Sequence, residues 1–66
     1  MRLKALREVR KARKLSQAEL ASKVSVTQGA VSAWELGLYN PNAKKLKRLA
    51  KALNCTVDKL IADEKG

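Results

Sequence analysis

The chain has 66 residues with one cysteine and no histidine, so an internal disulfide and a histidine- or multi-cysteine zinc site are both excluded. Fifteen Lys and Arg against six Asp and Glu leave a net charge of +9, which favours a polyanionic partner, nucleic acid ahead of an anionic membrane. The apolar runs are only a few residues long, too short to span a bilayer or to form the core of a secretory leader, and a lone thiol suits a reducing, cytoplasmic home.

The first predicted helix covers residues 2–14. Leu3, Leu6 and Val9 recur every three positions, and Ala5 and Ala12 favour the same conformation. Seven of the fifteen cations fall in this segment, with Glu8 as its one acid. Read blandly, that is a solvated helix face. The sharper reading is a ridge turned toward phosphates, with Arg10 and Arg13 in it. The apolar stripe is narrow and lacks aromatics, which argues against a membrane-surface helix.

Ser16 followed by Glu19 is a capping box that starts a second helix at Gln17. Leu15 and Leu20 occupy the two positions of a hydrophobic staple around it. Leu20, Ala21 and Val24 then share one face, and the helix ends near Val24. After a short turn, Thr27 caps a third helix, Gln28 to Leu36, with Val26 and Val31 repeating the staple. Gly37 suits the left-handed position that terminates it. Helix, tight turn and capped helix make a helix-turn-helix.

Leu36 to Pro41 forms a loop with two apolar residues, Leu38 and Tyr39, which either fold back on the core or meet a second subunit. Asn42 caps a fourth helix, Ala43 to Leu53, whose stripe of Leu46, Leu49, Ala50 and Leu53 is surrounded by lysine and arginine. Asn54 suits a left-handed helix end. Thr56 caps a short fifth helix carrying Val57, Leu60 and Ile61, with Cys55 packed at its start, and residues 63–66 read as a frayed tail. The fold class is therefore all-α, a compact five-helix single domain over residues 1–66.

The stretch SQAELA…VTQGAVSAWELG, continuing into NPNAKKLKRLAKALNCTVDKL, resembles the lambdoid phage repressor and Cro class of helix-turn-helix proteins. The similarity runs from about Leu3 to Ile61. It implies double-stranded DNA binding by the third helix in the major groove, as a transcriptional regulator and a repressor. Base-reading positions would be Thr27, Gln28, Gly29, Ser32 and Ala33. Gln28 is the sharpest of them, because an amide pairs with adenine N6 and N7, whereas Ala33 offers only contact with a thymine methyl. No Lys or Arg lies in this helix, so direct readout is thin and affinity must come from backbone contacts elsewhere.

For those contacts the resemblance and the charge pattern point to Arg10, Arg13, Gln17, Asn40, Asn42, Lys44 and Lys45. Helix starts also attract phosphate through free N–H groups and the helix dipole. The resemblance further implies an ion pair between Arg10 and Glu35. Proteins of this class bind inverted-repeat operators as twofold dimers; the surfaces available for a homodimer are Leu38, Tyr39, Val57 and Ile61. Two departures from the family stand out. Ser25 replaces the usual turn glycine, at a cost on the order of 1 kcal/mol if it is left-handed. Gly29 and Ala33 replace long polar side chains. Trp34 lies on the face opposite the reading positions and belongs to the core.

The competing reading is an antitoxin-like or other protein-interaction module, and the clustered positive charge argues for DNA over it. An enzyme is the weakest reading: there is no histidine, no nucleophile beside a base and no paired carboxylates, and no cofactor or metal is expected.

Overall fold

The computed structural model describes residues 3–61, which form five helices: α1, Leu6–Ala12; α2, Gln17–Val24; α3, Gln28–Leu36; α4, Ala43–Ala52; and α5, Val57–Ile61. The expected tail, residues 63–66, lies outside the described residues. Among the described residues no helix is long and apolar enough to cross a membrane.

Every helix start that the sequence marked is capped. Ser16 and Glu19 close the reciprocal box, with the Glu19 N–H donating to Ser16 Oγ at 3.0 Å and the Ser16 N–H to Glu19 Oε1 at 2.7 Å. Those bonds, the Ser16 backbone N–H first and its hydroxyl second, hold the Glu19 carboxyl below its ordinary pKa. Thr27, Asn42 and Thr56 accept from the N–H groups of Ala30, Lys45 and Lys59 at 3.1, 2.8 and 3.1 Å. Each satisfies a donor that the first helical turn leaves orphaned.

The helix ends are equally uniform. Lys14, Ser25, Gly37 and Asn54 are all left-handed, with φ of 60°, 61°, 79° and 54°. In each case the next residue donates back to the carbonyl five positions earlier: Leu15 to Arg10, Val26 to Ala21, Leu38 to Ala33, and Cys55 to Ala50, at 3.2, 2.9, 2.9 and 2.9 Å. This is the Schellman closure, built here on one glycine and three residues that have a Cβ. Leu15, Val26 and Cys55 then turn back onto the core, and burial raises the Cys55 thiol pKa. Leu38 is the exception: it stays 66% exposed.

α1 is shorter than the expected 2–14. Lys4 and Ala5 form a turn, and the Ala5 N–H donates to the Leu60 carbonyl at 3.1 Å, tying the start of the described chain to α5. Leu3 is nevertheless buried, so the threefold apolar spacing marked burial correctly but helix length wrongly. At the other end, the left-handed turn at Lys14 stops the helix. α4 likewise ends at Ala52, with Leu53 as its cap residue.

All five helices contribute to one core. Leu6, Leu20, Val31, Leu49, Leu53 and Leu60 are fully buried, and Trp34 is 7% exposed. Truncating a buried leucine of this kind to alanine costs about 2–5 kcal/mol, a large share of the ~5–15 kcal/mol by which domains are stable. α2 packs against α3 on one side and α4 on the other, while α1 bridges α3 and α5. That arrangement brings the starts of α2 and α3 to the same surface as one face of α1.

Candidate nucleic-acid interface

A chain of hydrogen bonds crosses from α1 to the start of α3. Arg10 donates through Nε to Glu35 Oε2 at 2.6 Å and through Nη2 to Glu35 Oε1 at 3.3 Å. Its remaining nitrogen, Nη1, donates to the Leu15 carbonyl at 2.8 Å. Gln17 Nε2 donates to the same Glu35 Oε1 at 2.9 Å, and Gln28 Nε2 donates to Gln17 Oε1 at 3.3 Å. One buried arginine thus fixes a carboxylate, the carboxylate fixes a glutamine at the first position of α2, and that glutamine holds the first side chain of α3.

Arg10, expected both to pair with Glu35 and to touch phosphate, is committed first to bonds within the protein. Its side chain is 9% exposed, and all three of its nitrogens donate within the protein. A guanidinium so enclosed is retained because it has a carboxylate and a carbonyl to pair with. Arg10 therefore acts by positioning Glu35 and Gln17.

Arg13 is also turned inward to a degree its sequence position did not reveal. Nε donates to the Leu53 carbonyl at 2.7 Å and Nη2 to the Asn54 carbonyl at 3.2 Å. Those are carbonyls at the C-terminal end of α4, where a cation is favoured by the helix dipole. Arg13, expected to face phosphate, also bonds α1 to the end of α4 while the residue as a whole stays exposed.

Arg7 was missed. It lies with Arg10, Gln17, Ser32, Glu35 and Leu36 around a cleft of about 270 Å³ where α1, α2 and α3 meet. The signal was present in the sequence, since Arg7 stands three residues before Arg10 and shares its helix face.

The remaining expected residues divide by exposure. Thr27, Gln28 and Gly29 are exposed at the start of α3, and Ser32 and Ala33 are half-buried one turn on. Asn40, Asn42 and Lys44 are exposed around the start of α4, and Lys45 is half-buried. Asn42 already uses its side-chain oxygen as the α4 cap. Of the candidate dimer residues, Leu38 and Tyr39 are 66% and 71% exposed, joined by Leu36 at 64%. Val57 and Ile61 are half-buried, each packed in part against the core of its own chain. Among the described residues no group of His, Cys, Asp and Glu could hold a metal ion.

A family model described as helix-turn-helix matches residues 6–60, which is most of the chain and includes all the elements of this cleft. The chain belongs to the helix-turn-helix family.

Within that family it is 41% identical over 56 residues to the Repressor protein C2 of Salmonella phage P22, covering 85% of this chain and 26% of that protein. It is 36% identical over 59 residues to the HTH-type transcriptional activator BcrR of Enterococcus faecalis, covering 89% of this chain and 29% of the activator. The chain thus spans under a third of the length of either protein. An uncharacterized HTH-type transcriptional regulator of Methanothermobacter thermautotrophicus is similar over nearly its whole length, 41% identical with 92% of this chain and 91% of the relative covered. Among solved structures, the P22 c2 repressor in complex with a synthetic operator superposes with a TM-score of 0.84 at 37% identity, covering 96% of this chain and 98% of that one. The compact all-α arrangement of this domain is therefore that of the c2 repressor.

Proposed function

We propose that the chain is a sequence-specific double-stranded DNA-binding transcriptional regulator, acting as a repressor inside the cell. The observation that carries this reading is the hydrogen-bonded chain from Arg10 through Glu35 and Gln17 to Gln28. It holds a glutamine at the start of an exposed helix with its oxygen uncommitted, and a helix start presented this way suits the major groove. The likeness to the c2 repressor in complex with an operator supports the same reading. Repression is favoured by that relative and by the 32% identity to the immunity repressor protein of Bacillus phage phi105.

In this reading Gln28 reads adenine, with Thr27, Gly29, Ser32 and Ala33 beside it. Gln17, Arg7, Asn40, Asn42, Lys44 and Lys45 face the phosphate backbone. A homodimer on an inverted repeat, with recognition helices about 34 Å apart, is supported by Leu36, Leu38 and Tyr39. Residues 24–43 contain no Lys or Arg in a chain of net charge +9, so this is the stretch on which two copies repel least. The exposed position of Leu38, where the three equivalent residues are packed inward, fits a contact made in the dimer. A protein-interaction module is the second reading, and the same apolar loop is what favours it.

Selection from a random duplex library at about 150 mM salt tests the proposal, since backbone-only binding is suppressed there. An enriched inverted repeat with half-sites one helical turn apart is the expected result. Binding at low salt with no enriched sequence would sink it in favour of the protein-interaction reading.

A further inference from the structure

Ser25 is strained, and no contact of its side chain within the described residues compensates for it. Its φ of 61° places a Cβ in the left-handed region, where glycine is free of strain. Its hydroxyl makes no hydrogen bond among the described residues. Ser25 instead lines, with Lys23, Arg48, Lys51 and Ala52, a cleft of about 530 Å³ between the end of α2 and the second half of α4. Arg48 and Lys51 make no hydrogen bond or ion pair among the described residues. Lys23 has Glu19 one turn back as its opposite charge, but the Glu19 carboxylate is already held by the Ser16 N–H. No acid is among the lining residues, so three cations are gathered there against their mutual repulsion.

We propose that this cleft is a binding site for a phosphate-bearing polyanion, either a free oligophosphate or the phosphate groups of a small phosphorylated molecule. Its polar side chains are a guanidinium, two ammonium groups and a hydroxyl, all able to donate. The arginine fork pairs with two phosphate oxygens at once, and the lysines add point charges. Serine at position 25 thus exchanges backbone strain for a fourth donor. The volume falls in the range of small-molecule sites, yet Ala52 is the one apolar residue in the lining, so charge and not apolar burial would hold the ligand. The cleft is separate from the proposed DNA face. That face takes Gln17, Asn42 and Lys44 from the starts of α2 and α4, whereas the cleft uses the far ends of the same helices. Lys44 and Lys51 are about 10 Å apart along α4.

The test is calorimetric titration of the chain with inorganic tripolyphosphate at about 150 mM salt, where diffuse surface attraction is screened. One ion per chain is expected to bind. Ser25→Gly should weaken that binding about fivefold or more while raising the urea midpoint, so the loss cannot come from damage to the fold. Arg48→Gln combined with Lys51→Gln should weaken it about tenfold or more. Lys47→Gln combined with Lys59→Gln removes the same charge elsewhere and should change it by less than about twofold. A nucleoside triphosphate separates the two sources: affinity equal to that of tripolyphosphate assigns the site to the phosphates alone, and tighter binding assigns it to a larger phosphorylated molecule. No binding of tripolyphosphate, equal losses in the two double variants, or undiminished binding by Ser25→Gly overturns the proposal. An oligoglutamate peptide bound as tightly through the same residues overturns it in favour of an acidic protein segment. A salt slope for duplex binding that falls by about two in the Arg48→Gln, Lys51→Gln variant also overturns it, because the cleft would then belong to the DNA backbone surface.

Discussion

Arg10 and Glu35 stand 25 positions apart in the chain and meet with Nε and Oε2 at 2.6 Å, their side chains 9% and 5% exposed. Little of either charge is left to water, so each depends on the other. A pair of this kind adds little net stability over a well-packed apolar pair, but losing one partner is severe because the other remains buried and uncompensated. Here the pair also sets the position of Gln17, and through it Gln28.

Arg10→Ala is therefore expected to destabilise the domain by about 3–5 kcal/mol, and lysine should rescue it poorly because it lacks the planar fork. DNA binding should weaken on every sequence alike. Urea unfolding, with titrations of specific and unrelated duplexes, checks both points; a loss confined to one base pair would contradict a positioning role.

Gln28→Ala should behave in the opposite way. Stability changes little, because the bond lost to Gln17 is an exposed one at 3.3 Å. Discrimination at one base pair per half-site should fall by about 1–3 kcal/mol. Unchanged preference in a repeated selection would mean that the start of α3 does not read bases.

Arg13 offers a separation of structure from phosphate binding. Its bonds to the Leu53 and Asn54 carbonyls make Arg13→Ala a loss of about 1–2 kcal/mol in stability. The dependence of DNA affinity on salt should keep its slope. A slope reduced by about one would show that Arg13 neutralises a phosphate after all.

Lys14 and Ser25 carry a Cβ in the left-handed region. Lys14→Gly and Ser25→Gly should each stabilise the domain by up to about 1 kcal/mol, the relief of Cβ strain outweighing the added freedom of the unfolded chain. Asn54→Gly should gain less, since asparagine tolerates this conformation. Shifts in the urea midpoint measure all three, and a loss of stability in either of the first two would contradict the strain argument.

The helix starts were legible in the sequence because capping is local chemistry. Ser16 with Glu19, Thr27, Asn42 and Thr56 each act on a group three positions away, a distance that spacing alone describes. The core stripes of α2 and α4 were legible for a related reason, since the period of a helix turns spacing into direction. Resemblance pointed to Arg10 and Glu35, but no rule of spacing joins residues 25 apart.

What only the tertiary structure decided was where separate helices meet. α1 starts late because the Ala5 N–H is taken by Leu60. Arg13 bonds to the end of α4, Val57 and Ile61 pack in part on their own core, and Leu38 alone among four equivalent positions is left outside. Each of these depends on how the apolar faces pack together, and burial is a property of the assembled core that no single segment contains. The sequence by itself determined the five helices and their caps; packing determined which of their side chains remain exposed at the surface.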